Sequence, residues 1–209
     1  MSISYPLNTP TNIGIANITF SAENAVTISQ SPFTFQQQVV AHPGQRWAAS
    51  IALPPMKRQD AEYWVAFLLS LKGQIGTFLL GDPNCVTAQG SASTTPGTPV
   101  VEGANQTGGS LAISGLPASA TGYLLPGDYI QIGSASTTQL YKVLTQVDSD
   151  ASGVATLDIW PNLRGSPPNS SLVTISNTKG KFRLSNNIQQ WQINEISSYG
   201  ITFDCVEAL

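Results

Sequence analysis

Polar and apolar residues alternate along most of this chain, and the segment 45–83 is where the period changes. Trp47, Ala49, Ile51 and Leu53 are separated by polar or small residues, the period of two of a strand with one buried face. Pro54 and Pro55 end that strand, because proline donates nothing to a ladder and its fixed φ suits the first turn of a helix. The spacing then predicts a helix over 57–72, with Ala61, Trp64, Val65, Leu68 and Leu69 at i, i+3, i+4, i+7 and i+8 in one apolar stripe. Asp60 and Glu62 in its first turn and Lys72 in its last suit the helix dipole, and Gly73 supplies the left-handed residue that commonly closes a helix. Gly76-Thr77-Phe78-Leu79-Leu80-Gly81 follows as a buried strand stopped by the turn Gly81-Asp82-Pro83. Trp47, Trp64 and Leu68 are the predicted core residues of this unit.

The other side of the helix, Gln59, Glu62, Tyr63, Ala66, Phe67 and Ser70, carries one charge, where a solvated face normally carries more. Either the chain's own domain covers it or a neighbouring copy does. The second reading makes Tyr63, Ala66 and Phe67 a candidate subunit interface.

Before this segment come strand-like runs at 15–20, 25–29 and 33–40, and the turn His42-Pro43-Gly44-Gln45 is expected to lead into the Trp47 strand. After residue 83 the texture changes to a Ser/Thr/Gly/Pro/Ala tract over 86–110, too poor in large apolar side chains to form a core by itself. Strands predicted at 111–116, 128–132, 139–147 and 154–160 then follow with the cadence of a small all-β barrel or sandwich. Past Pro167-Pro168 lie further runs at 172–175, 181–184 and 188–193. The last run, 201–207, alternates Ile201, Phe203 and Cys205 with Thr202 and Asp204. A terminal strand so patterned needs a sheet to pair with. The chain is therefore expected to be mainly β with a single α-helix, residues 1–83 and 181–209 forming one domain and 84–180 a β domain inserted into it.

Composition narrows the function classes. Charged residues are 10% of the 209, against about 25% in an average soluble protein, so surfaces of this chain resist packing against copies of themselves only weakly. Nine basic and twelve acidic residues, unclustered, leave no electrostatic footprint for nucleic acid. The start, Met1-Ser2-Ile3-Ser4-Tyr5-Pro6, resembles no secretory signal, and the longest apolar window, 61–71, is shorter than the roughly twenty residues that a bilayer crossing needs. Synthesis and folding in a cytosol are expected, with Cys85 and Cys205 as buried thiols rather than a disulfide.

Chemistry-bearing patterns are weak. Asp148-Ser149-Asp150-Ala151-Ser152-Gly153 opens like a calcium loop, but the acidic ligand needed at its twelfth position is replaced by Ile159, so a polar turn is expected. His42 is the single histidine, and no nucleophile elbow, P-loop or zinc signature is present, so neither catalytic residues nor a cofactor or metal is expected. Sequons at Asn17, Asn105 and Asn169 lack the secretory route that would use them. Of the four tryptophans, only Trp160 and Trp191 fall outside the predicted buried stripes as candidates for stacking on a sugar.

Several stretches together resemble a family. Trp47 to Leu53 followed by Pro54-Pro55-Met56, the helix with Ala61 and Trp64, and Gly73 leading to Gly76-Thr77-Phe78-Leu79-Leu80-Gly81-Asp82-Pro83 look like the N-terminal half of minor tail proteins of long-tailed bacteriophages. Leu125-Pro126-Gly127-Asp128-Tyr129-Ile130-Gln131-Ile132-Gly133, Leu140-Tyr141-Lys142-Val143 and Ile159-Trp160-Pro161-Asn162-Leu163-Arg164 are similar to a recurring piece of the same proteins. Size and the split β domain are most similar to distal tail proteins. The resemblance implies a ring-forming β-sandwich domain with one helix, a second β domain turned outward, and a homo-oligomer of six copies. That ring closes the tail tube and connects it to the tail-tip proteins in the virion. It implies no catalytic residues. The alternative is a carbohydrate-binding module for host adsorption, taking a host-surface saccharide on 84–180; a tail-associated hydrolase is a third, without a motif behind it.

Overall fold

The computed structural model describes residues 3–194 and 198–209, and their fold is mainly β, with a single α-helix among them. In chain order the strands are β1 (Leu7–Asn8), β2 (Asn17–Gln30), β3 (Gln37–Ala52), β4 (Met56–Lys57), β5 (Phe78–Leu80), β6 (Val100–Val101) and β7 (Ser110–Ser114). They continue with β8 (Tyr129–Ile132), β9 (Gln139–Val143), β10 (Ala155–Trp160), β11 (Val173–Thr174), β12 (Gly180–Leu184), β13 (Trp191–Ile193) and β14 (Ser198–Glu207), while α1 spans Arg58–Ser70. One sheet runs β1-β5-β12-β14-β3-β2, with β4 and β13 also paired to β14. A second runs β11-β8-β9-β10-β7-β6.

β14 organises the first sheet. Its Thr202 to Val206 pair with β3 on one side and Cys205 to Glu207 with β12 on the other, so both neighbours are fixed by one strand. Its alternation sets Ile201, Phe203 and Cys205 on the inner face with Trp47, Ala49 and Ile51 of β3, and leaves Thr202 and Asp204 outside.

β2 and β3 differ from expectation. Three separate strand runs and a turn at His42-Pro43-Gly44 were predicted; instead 17–52 is one long hairpin, with its turn at residues 31–36. Phe35 donates its N–H to Ser31 O and Ser31 donates its own to Gln36 O, both at 3.0 Å, with Phe35 at φ +55°. His42, Pro43 and Gly44 sit in a bulge of β3, opposite Ala25, where the pairing steps from Asn24↔Gln45 to Val26↔Ala41. Proline and glycine mark irregular backbone without saying whether the chain reverses there, and a bulge absorbs a proline because its missing N–H interrupts no ladder bond.

The helix begins one residue later and ends two residues earlier than predicted, after β4 pairs Met56 with Tyr199. Lys72 at φ +51° and Gly73 at +68° turn the chain away from its end, and Gly76 donates its N–H to Leu71 O at 2.8 Å. Trp64 and Leu68 are fully buried, but the buried arc is Ala61, Trp64, Val65, Phe67, Leu68 and Leu71, while Leu69 is 56% exposed. At about 100° per residue the stripe is turned by about 50° from the predicted one. The cause lies in the sheet. Phe67 meets Phe78 of β5 edge-on at 5.5 Å and Trp64 at 5.8 Å, so the helix rolls toward β5, which no local pattern reveals.

The second sheet curls on itself. Val100 bridges Leu172, Val101 donates its N–H to Ser171 O and Val173 donates to Pro99 O, both at 2.9 Å, which nearly closes β6 onto β11 as a small barrel. Leu111, Ile113, Tyr123, Ile130, Tyr141 and Leu157 fill it. Buried Asp128 fixes the Pro126-Gly127 turn by accepting the N–H groups of Gln89 and Leu125 at 2.9 and 2.8 Å.

The barrel packs on the inner face of the first sheet beside the helix. Trp160 meets Trp47 edge-on at 4.4 Å, Trp47 Nε1 donates to Leu140 O at 3.1 Å, and Tyr129 and Leu140 belong to the first sheet's core. Across this junction Arg164 forms a buried ion pair with Glu207, whose carboxylate also accepts the N–H of Trp47 at 3.0 Å.

Two outcomes check these assignments. Phe67→Ala should lose the roughly 2 to 5 kcal/mol of an emptied core site, whereas Leu69→Ala should change stability by less than about 0.5 kcal/mol; the order of the two denaturant midpoints reports the rotation of the helix. Glu207→Gln leaves Arg164 charged and buried, so chemical unfolding should show a loss on the order of 3 to 5 kcal/mol.

Candidate interaction surface

The helix offers less to a partner than its sequence promises. Tyr63 and Ala66 are exposed, but Phe67, the third candidate interface residue, is 7% exposed and part of the core. Its assignment to a subunit contact is corrected: a charge at this position would attack the fold before any assembly. What faces out is Arg58, Gln59, Glu62, Tyr63, Ala66 and Leu69, with Arg58 Nε 3.3 Å from Glu62 Oε1 as an ordinary i,i+4 pair.

A larger surface lies elsewhere. Beyond the sheet, β2 and β3 continue as a two-stranded arm in which every residue from 21 to 44 is exposed except Ser31. Its base is marked by the cross-strand pair Arg46–Glu23 at 2.5 Å, and between those residues there is no Asp, Glu, Lys or Arg. Apolar side chains take their place. Val26, Ile28, Val39 and Val40 lie along the arm, and Phe33 and Phe35 form its tip, Phe33 at 93% exposure. An isolated two-stranded ribbon is marginally stable in water, and apolar groups on both its strands gain nothing there.

At the other end of the sheet, a groove of about 400 Å³ is bounded by the 186–192 segment and by Gly200, Thr202 and Asp204 of β14. Trp191 is 37% exposed in it, and Gln189, Gln190 and Gln192 line it with Ile188; among the described residues that line it, Asp204 alone is charged. The second tryptophan candidate, Trp160, donates Nε1–H to Asn24 Oδ1 at 3.0 Å and borders an open cleft of about 450 Å³ with Phe20, Trp47, Tyr129 and Lys142. Lys142 Nζ sits 4.5 Å from the Tyr129 ring centre. The two tryptophans are thus at separate places and form no common platform.

The remaining candidates resolve into structure. Asp148 accepts the N–H of Gly122 at 2.6 Å and Asp150 those of Ser152 and Val154 at 2.7 and 2.9 Å, so the calcium-like segment is a hydrogen-bonded turn between β9 and β10. The Gly122 N–H, with Gln146, holds the Asp148 carboxyl below the usual carboxylate range. His42 is exposed in the β3 bulge. Among the described residues no group of three or more His, Cys, Asp or Glu is placed to hold a metal, and no helix is long and apolar enough to cross a membrane. Cys85 and Cys205 are free thiols, half-buried and buried. No protein-family model matches the chain, and a search of curated proteins finds no match.

Alkaline pH tests the burial. Desolvation pushes Cys205 from 9.0 up to about 12 and the hydroxyls of Tyr123 and Tyr141 from 10.0 up to about 12. The folded state keeps protons that the unfolded state releases, so stability is complete below about 9 and falls as pH rises toward about 12. Thermal midpoints should decline across that window, less steeply in Cys205→Ala, and iodoacetamide should label Cys205 only after unfolding.

Proposed function

We propose that this chain is a structural component of a phage tail tip, forming a homo-oligomeric ring of six copies that closes the tail tube and connects it to the tip or adsorption apparatus. The observation that carries this reading is the arm: a long charge-free ribbon with two phenylalanines at its end is costly for a monomer and ordinary for a subunit whose neighbour covers it. The scarcity of charge over the whole chain and the resemblance of its helix and barrel segments to phage tail proteins support the same reading, with tail-tube and tail-tip proteins as further partners. No catalytic role is assigned to any residue.

A carbohydrate-binding module for host adsorption is the second reading, favoured by the cleft where Trp160, Tyr129 and Lys142 of the barrel meet Asn24. Mass in solution separates the two, since the ring reading demands an oligomer and the binding-module reading permits a monomer.

The test uses the full chain and a variant in which residues 27–40 are replaced by Asn-Gly, a two-residue turn that fits the Val26↔Ala41 pair. Light scattering should give a closed multiple of the 22.1 kDa chain for the first and a monomer with a retained unfolding transition for the second. A full chain that stays monomeric at high concentration, alone and with tail-tube protein, overturns the reading.

A further inference from the structure

We infer that the arm of one copy seats its tip in the Trp191 groove of the next copy, so that the subunit contact is head-to-tail. This rests on the oligomeric reading and adds to it the two surfaces that meet.

The strand register supplies the first argument. β3 pairs with β14 from Ala52↔Thr202 to Ala48↔Val206, and the arm continues from β3 past the Ala48↔Val206 end. At about 3.3 Å per residue, Gln37 lies on the order of 35 Å beyond that end. The groove lies the other way: Trp191, Gln192 and Ile193 pair with Ile201, Gly200 and Tyr199, and Gly200 is about 20 Å from Val206 along the same strand. Arm tip and groove thus sit at opposite ends of one sheet, pointing away from each other. A single chain cannot bring them together, and a second copy displaced along the strand direction can. Such a contact joins different patches on the two copies, so it propagates, and it closes into a ring when the rotation per step allows.

Their chemistry supplies the second. Among their described residues both surfaces combine side-chain amides with large apolar groups and almost no charge: Gln36, Gln37 and Gln38 beside Phe33 and Phe35 on the arm, Gln189, Gln190 and Gln192 beside Ile188 and Trp191 in the groove. An amide carries donors and an acceptor, so two amide rows satisfy each other, and neither surface asks its partner to desolvate a row of charges. A nucleic acid or an acidic protein would find no counter-charge on the arm. The tip's exposed phenyl rings have an aromatic acceptor in Trp191, and a cavity of about 400 Å³ is of the size that holds an organic group.

Disulfide trapping decides it. Gln37→Cys and Gln190→Cys are made separately in a Cys85→Ser background, leaving only the buried Cys205, and are mixed under mild oxidation; Phe35→Cys with Gln192→Cys is the second pair. The mixture of at least one pair should give a covalent dimer that neither member gives alone. The corresponding double variant should give a ladder of covalent species ending at the ring number. Assembly of the expected mass with no mixed disulfide from either pair overturns the inference and leaves the oligomeric reading standing, as does a disulfide formed by Gln37→Cys alone, which would mean arm against arm. Full chain and variants that stay monomeric overturn both. A groove that binds saccharide while the ring persists, with Gln190→Cys unlinked, also overturns the inference.

Discussion

The inner face of the first sheet is larger than one helix can cover, and the rest of the molecule follows from that. A helix of thirteen residues is about 20 Å long, enough to lie over Phe78, Ile201 and Phe203 but not over Phe20, Trp47 and Phe182 as well. The second cover is the barrel, which brings Tyr129, Leu140 and Trp160 onto the uncovered end. A nearly closed barrel offers a convex side to pack with, and its own core is a cluster separate from that of the first sheet. The two modules therefore share one apolar surface while each has its own buried cluster.

Holding a barrel on a sheet by apolar contact alone would leave its orientation loosely set. Direction comes from polar groups. Trp47 is bonded through both its nitrogens, the backbone one to Glu207 and the indole one to Leu140 O, and Glu207 in turn holds Arg164. Ion pairs of this kind contribute little net stability against an apolar replacement, yet each partner is expensive to leave alone. That cost favours a docking in which Arg164 and Glu207 meet.

Past its base, where Trp160 of the barrel meets Asn24, the arm is the part of the first sheet that lies in water on both faces. Its strands keep the alternation and the β-branched residues of a ribbon, and Ile28 and Val39 face each other across it, but among the described residues no third element covers them. Phe33 and Phe35 at its tip are more exposed than any other aromatic among the described residues, and that exposure is what the proposed contact with another copy would remove. The separation of arm and groove to opposite ends of the sheet gives that contact a direction.

By itself the sequence determined the periods: alternating residues at 47–53 and 201–207, a 3.6-residue repeat at 61–68, and strands at 111–160 spaced by turn residues. Periods belong to the backbone and survive any packing, which is why the single helix, the mainly β class and the buried Trp47, Trp64 and Leu68 were legible. Pairing and phase were not. Whether His42-Pro43-Gly44 reverses the chain or bulges it depends on which strand lies opposite, and the uncharged stretch 24–45 was the one available sign that the two flanking runs form a single arm. Phe67 and Leu69 are both apolar and both adjacent to Leu68 in sequence. Only the position of Phe78 and Phe203 beneath the helix decided which of them is core, because burial is a property of what lies across from a side chain and not of the side chain.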